Sequence, residues 1–446
     1  MTWKWERPQC EFRFKVKSTI MSATTRIDMD KRNIVIIGGG IIGCTTVYYL
    51  SRHPSYSPST ASITVLEASA RGVAQGASGK AGGLVAKWAY PREIVDISFA
   101  EHVKLANEHN GKERWGWRFV GCGSWEGRGE DVAQHVGSGV GTGGRGKSLE
   151  KKAGLDDPAS ISRPRAHSGH PDDLNWVKAH LTESYSPMSA PDGTVQVHPY
   201  LFTTSMMELA AERGAALLRG SATTIEREGG RVTGVRYRDP SDGTSKVIPA
   251  THVIVSAGAW SPSIIPALSI TATRAHSVTV RASRDVTIAP YVLFAEIALA
   301  RGRVVAPEVY ARPDNEIYAC GPGDDSPLPA NVDDVEVDEG ACQSVWEHVA
   351  SISTEFREAT VEQRQACFLP TVRGGGGPII GEVGEGVYVG TGRTCWVSVS
   401  WLACALLTVV QGICNGPGTG RVLSELVMGL APEMEGVVTE TFELRK

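Results

Sequence analysis

The sequence is poor in the features that define several protein classes. Its nine cysteines, Cys10, Cys44, Cys122, Cys320, Cys342, Cys367, Cys395, Cys404 and Cys414, include no Cys-x-x-Cys pair. Zinc-type spacing is therefore absent, and no metal is expected. An odd thiol count without a secretory leader favours a reducing compartment. The net charge of −4 is too small for the basic footprint of a nucleic-acid binder. The N-terminus carries no apolar signal-peptide core, and the terminal Leu444-Arg445-Lys446 is not the peroxisomal tripeptide. The expected location is cytoplasmic. No internal repeat is visible.

Glycine is in excess, with 50 among 446 residues. It marks tight turns, close backbone–ligand contacts or flexible loops. A hydrophobic content of 41% and a charged content of 21% describe a globular chain with room for two to three domains. Residues 1–31 read as a disordered N-terminal extension outside the fold, with a targeting arm or an early start codon as the alternatives: the first 32 positions hold eight Lys/Arg and four acids with no periodicity. Residues 121–147 hold ten glycines among Ser, Arg and Lys, which predicts a flexible surface insertion.

The first predicted strand is the continuous apolar run Ile34–Ile37, which suits a buried parallel strand. Gly38-x-Gly40-x-x-Gly43 follows it and opens a predicted helix. Residues 63–69 form the next strand, with Glu67 near its end. Each part has a physical task. Gly38 permits a tight turn, Gly40 lets the backbone approach a pyrophosphate, and Gly43 allows close helix–strand packing. The amides of Ile41 and Ile42 at the helix start favour phosphate. Glu67 accepts hydrogen bonds from a ribose 2′-hydroxyl and disfavours the 2′-phosphate of NADP. The fingerprint alone leaves FAD and NAD open. A second small-residue loop, 76–91 (GASGKAGGLVAKWAYP), lets backbone lie along a long extended ligand.

Further on, 196–215 has helical spacing at Phe202, Met206, Leu209 and Arg213. Residues 233–261 read as a hairpin across Asp239–Gly243 followed by a buried strand, Val253–Val255. Residues 307–321 place a Pro-Asp-Asn turn between two strands.

Four of these stretches, in order, resemble the glycine/D-amino-acid oxidase (DAO) family of FAD-dependent oxidoreductases. They are the fingerprint with Glu67, the GASGKAGG loop, residues 253–261 (VIVSAGAWS), and the C-terminal PIIG (378–381) with NGPGTG (415–420). GKAGGL and QVHP resemble a fungal-type branch of that family. The resemblance implies an α/β fold, a Rossmann-type FAD domain joined to a mixed-sheet α+β substrate domain. It places the FAD domain at 32–105, 192–275 and 370–446, and the substrate domain at 106–191 and 276–369. Cofactor contacts are implied for Ala68, the backbone of Ser78, Gly79, Lys80, Ala81, Gly82, Gly83 and Leu84, and for Ala257, Gly258 and Trp260. Gly416, Gly418, Thr419 and Gly420 are implied at the pyrimidine end, with a helix beginning at Thr419–Leu423. The implied reaction moves a hydride from the carbon beside an amine nitrogen to flavin N5; the imine hydrolyses and oxygen yields hydrogen peroxide. A flavin dehydrogenase feeding an electron carrier, and a catalytically impaired flavin-binding protein, stay open.

The chain departs from the family at one telling position. Amino-acid oxidases hold the substrate carboxylate with an arginine directly before a proline near the PIIG strand. Here that residue is Leu369, before Pro370; Arg373 lies further on in a glycine run. A leucine cannot fork onto a carboxylate. An amine, a modified amino acid or a neutral molecule becomes the expected substrate. Lys80 can activate oxygen or meet a phosphate or solvent. His276 either points at substrate or is a satisfied core histidine. Arg312 either floors the pocket or is structural, and Glu308 reads the same way. Trp115 and Trp117 read as packing.

Residues 397–411 (VSVSWLACALLTVVQ) interrupt the expected run from Trp396 into Gly412. With its neighbours this makes a charge-free stretch long enough to span a bilayer. The absence of anchoring flanks argues against a membrane. A buried helix is a second reading. A retained intron fits better, since valine codons begin with GT and glutamine can be encoded by CAG.

Overall fold

The computed structural model describes residues 32–132, 169–373, 378–392 and 412–430. The suspected intron, most of the Gly-rich stretch and the N-terminal extension lie outside them.

Strand β1 (Arg32–Ile37), helix α1 (Ile41–Arg52) and strand β2 (Ala61–Glu67) begin a six-stranded sheet. Its order is 379–384, 387–391, 252–255, β1, β2, 216–219. All neighbours are parallel except the first pair. The apolar run of β1 exists because both sheet faces are covered: Ile34, Val35, Ile36 and Ile37 are all buried. A second, eight-stranded mixed sheet carries 360–372, 270–281, 316–324, 308–311, 291–299, 121–128 and 182–187 in that order, with 303–305 paired to 291–299. Strands 270–281 and 360–372 of this sheet straddle the domain boundaries drawn at 275/276 and 369/370. Strands 84–86, 194–196 and 118–119 form a short third sheet, and 221–249 forms a separate three-stranded meander. The hairpin across Asp239–Gly243, the helix Pro199–Ala211 and the turn Pro313–Asn315 form where expected.

Two expectations need correction. The first part of the Gly-rich stretch is not a surface insertion: Gly121–Arg128 is a strand of the second sheet, parallel to Tyr291–Leu299. Its glycines make room for rings. A Cβ on Gly121 would strike Tyr291, one on Gly123 would strike Tyr185, and one on Gly127 would strike Trp125. The second correction concerns 415–420. These residues are not a flavin loop but lie inside the helix Gly412–Met428. Gly416 seats Ile41, Gly418 seats Ser98 of helix α2 (Arg92–Glu108), and Gly420 seats Thr45. The glycines let three helices approach closely, and Thr419 is spent on a bond from its Oγ1 to the Asn415 carbonyl. The described helix begins at Gly412, seven residues before the position expected.

Pro417 inside that helix has no N–H for the carbonyl four residues back, Ile413. His102 on α2 supplies the missing donor, its Nε2 lying 3.0 Å from the Ile413 oxygen. Burial pushes the pKa of His102 down to about 4, and that of His348 also to about 4. Both are neutral in the folded state and protonate more readily once unfolded. Stability is therefore complete above the ordinary histidine range near 6.5 and falls as the pH drops from there towards 4. Each buried histidine contributes a slope of at most about 1.4 kcal/mol per pH unit. The urea midpoint is expected to drop clearly between pH 7.5 and pH 5; a flat profile would contradict the buried neutral state.

Candidate functional site

A cavity of about 290 Å³ runs between the two large sheets. One end is the turn from β1 into α1. Gly38 has φ +104°, and a Cβ there would meet the Ser256 carbonyl. A Cβ on Gly43 would strike the Gly38 carbonyl, so this glycine holds helix to strand from behind and does not line the cavity. Gly40 precedes the first turn of α1 in extended backbone and faces the cavity beside Ser78, whose Oγ accepts the Ile41 N–H at 2.9 Å. Glu67 closes the turn. Its carboxylate accepts from Gly39 N at 2.6 Å and Ser69 N at 2.8 Å. Burial raises its pKa, and the Ser69 and Gly39 amides oppose that shift.

The second small-residue loop forms one wall. Gly82 packs against the Tyr310 ring, and Gly83 has φ +93° with no room for a Cβ beside the Val197 carbonyl. Gly79 turns its Cα towards the Ala74 carbonyl, outside the lining. Tyr318 donates to the Lys80 carbonyl at 2.9 Å, and Arg312 donates to the Ala81 carbonyl at 2.6 Å. Ala257, Gly258 and Trp260 line the opposite wall, with the Trp260 ring edge-on to Phe368.

At the second sheet the cavity meets Glu308, Tyr310, Cys320, Cys367, Phe368, Leu369 and Pro370. The Tyr310 hydroxyl donates to the Glu308 carboxylate at 2.6 Å, and the Cys320 thiol lies 3.6 Å from the same oxygen. Lys80 is half-buried, its Nζ donating to the Ala366 carbonyl at 2.8 Å. Burial lowers its pKa, and nearby Cys367 partly opposes this.

Gly38, Gly40, Ile41, Ile42, Glu67, Ala68, Ser78, Lys80, Ala81, Gly82, Gly83, Leu84, Ala257, Gly258, Trp260 and His276 line this one cavity. Gly416, Gly418, Thr419, Gly420 and Arg312 do not. Arg312 is 4% exposed and clamped between Glu316, at 2.6 Å, and the loop, with the Tyr318 ring 4.8 Å away. It braces the wall from outside. The His276 Nε2 accepts the Asp338 N–H at 3.1 Å, and the ring is kept neutral first by burial and then by Arg274. Arg373 is exposed and outside the lining. Trp115 is wholly buried against Phe202, and Trp117 stacks on His102. The sequence reading missed Gly390–Gly392, Gly412–Ile413 and Ala330–Val332, all of which line the cavity. Nothing local signals the last group; the helix start at Gly412 was hidden by the glycines beyond it.

The cradle fits a dinucleotide. It combines a glycine turn at a helix N-terminus, a carboxylate at the end of β2, and a cavity that continues along a second glycine loop to the other sheet. That combination defines a nucleotide-dependent oxidoreductase of the two-domain flavoprotein class. The family comparison agrees: residues 33–426 match the DAO family, FAD dependent oxidoreductase. The chain belongs to this family, and its cofactor is FAD. It is 30% identical to TDA3 of Saccharomyces cerevisiae, named as an oxidoreductase, over 89% of this chain and 92% of that one. Among solved structures it resembles iminodiacetate oxidase from Chelativorans sp. BNC1 (20% identity, TM-score 0.60, 90% of this chain and 97% of that one). It also resembles glycine oxidase from Bacillus cereus (20% identity, TM-score 0.61, 90% and 95%). Among the described residues, no His/Cys/Asp/Glu group is arranged for a metal, and no helix is long and apolar enough to cross a membrane.

Proposed function

We propose that the protein oxidises the C–N bond of an amine, or of an amino acid whose carboxylate is masked, with molecular oxygen as acceptor. One observation carries this reading. The wall expected to hold a carboxylate-binding arginine presents Leu369, and no arginine is found among the described lining residues. Glu308 is there instead, an acceptor suited to an ammonium N–H. The names of the solved structures, iminodiacetate oxidase and glycine oxidase, support the reaction class.

Bound FAD supplies the hydride acceptor for the carbon beside the substrate nitrogen. The chain supplies the rest. The Ile42 amide, at the positive end of α1, and the Ser78 hydroxyl that the Ile41 amide positions would hold the phosphates. Glu67 keeps acceptor capacity for the ribose hydroxyls. Phe368, Leu369 and Trp260 keep water from the chamber, which strengthens polar contacts inside it. Glu308 receives the amine N–H beside Tyr310. Lys80 brings a positive charge to the chamber, where it favours the anionic products of oxygen reduction.

An oxygen electrode with a panel of primary and secondary amines tests this. Oxygen uptake matched by hydrogen peroxide and a carbonyl product is expected. Substrate oxidation that proceeds only with an added electron carrier would overturn the choice of acceptor.

A further inference from the structure

The connection that leaves strand Glu316–Asp324 does not stay with its own sheet. Residues 325–338 cross to the nucleotide end of the cavity and return to the helix Glu339–Ala350. Both ends are tied to strand Ile270–Arg281. The Arg274 Nε donates to Asp324 at 2.9 Å and its Nη1 to the Glu336 carbonyl at 3.1 Å. His276 accepts the Asp338 N–H.

The middle is tied to the first sheet. Pro329 accepts from the Trp260 indole at 2.7 Å. Asn331 donates to the Ala68 carbonyl at 3.2 Å. Asp333 takes a donor set on the turn directly after Glu67: the Ser69 hydroxyl at 2.6 Å, the Ala70 amide at 2.8 Å, and the Arg71 Nε and Nη2 at 3.2 and 3.1 Å. Ala330, Asn331 and Val332 thereby line the cavity at the same end as Glu67 and Ala68.

We propose that residues 329–333 form a strap closing the adenosine end of the FAD site, with Asp333 as the latch that sets how fast FAD leaves. Glu67 marks the ribose position. A ligand bound there lies between β2 and chain that belongs to the other sheet. It cannot leave by that side until the contacts to Ser69, Ala70 and Arg71 open. The Arg71 arm is solvent-exposed and holds little. The Ser69 hydroxyl, the shortest and least exposed of the four bonds, and the Ala70 amide, which needs no side chain to be ordered, hold most. Burial raises the Asp333 pKa, but the hydrogen bonds from Ser69, Ala70 and Arg71 outweigh it and keep the group below the ordinary carboxylate range. The latch is thus charged at neutral pH.

The test uses purified holoprotein passed into FAD-free buffer, with retained flavin per protein followed over time. Asp333→Ala is expected to release FAD roughly 10- to 100-fold faster than the parent, the scale of losing charged hydrogen bonds. Arg71→Ala is expected to stay within about threefold, since exposed pairs contribute little. A release rate for Asp333→Ala indistinguishable from the parent overturns the proposal. If Asp333→Ala does not fold, Ser69→Ala carries the same comparison, and an unchanged rate again overturns it. Equilibrium FAD binding by Glu67→Ala separates the underlying reading from the strap: unaltered affinity there would displace the ribose site itself.

Discussion

Gly40→Val is expected to purify without FAD. Gly40 stands where extended backbone becomes helix α1, facing the cavity, with its Cβ direction 3.0 Å from the Ser78 Oγ. An isopropyl group fills the approach to the Ile41 and Ile42 amides. It also pushes Ser78 away from the Ile41 N–H it now accepts. The phosphates then lose both the space and the aligned donors of the helix start, which leaves nothing to offset desolvating their charge. Strand β1 and the body of α1 bury their own side chains elsewhere, so the fold should survive. The flavin-to-protein absorbance ratio measures the outcome, with circular dichroism as the control. A fully yellow, normally folded variant would mean that the site is misplaced.

Free glycine and D-alanine are expected to be poor substrates. Leu369 lies in the cavity wall on strand Thr360–Val372, opposite Thr273. A carboxylate brought there meets apolar carbon. A bidentate guanidinium offers two charged hydrogen bonds, each worth about 1.5–3 kcal/mol. Their absence lowers kcat/KM for a simple α-amino acid by roughly 100-fold or more against an amine of similar size. Leu369→Arg should recover binding of a plain carboxylate such as benzoate, read from the perturbed flavin spectrum. Brisk glycine turnover by the parent chain would reverse the assignment of substrate class.

What the sequence displays well is local. Ile34–Ile37 and the Gly38-x-Gly40-x-x-Gly43 turn are consecutive, and Glu67 ends the very next strand, so the whole motif is read within one strand–helix–strand unit. The hairpin at Asp239–Gly243 is legible for the same reason, with Gly243 in a left-handed conformation at φ +69°. Residues 121–128 look like linker because glycine has low strand propensity. Their strand is made by Tyr291 and Tyr185, far along the chain, which fill the space the glycines leave. Residues 415–420 look like loop for a similar reason. Glycine and proline oppose a helix locally, yet packing on Ile41, Ser98 and Thr45, and the His102 bond that answers Pro417, override them. Residues 329–333 carry only the Asx turn of Asn331, whose side chain accepts the Asp333 amide at 3.0 Å. Their place over Glu67 follows from contacts some 260 residues apart in sequence, |i−j| = 264 for Ser69 and Asp333.

Anaerobic titration of the purified yellow protein tests the central claim most directly. Under nitrogen, primary or secondary amines are added one at a time while the flavin band near 450 nm is followed. The account predicts that an amine without a free α-carboxylate bleaches the band fully and fastest, that glycine does so slowly, and that the product is the corresponding carbonyl. Bleaching by an α-hydroxy acid or by NADH, with every amine inert, would contradict it.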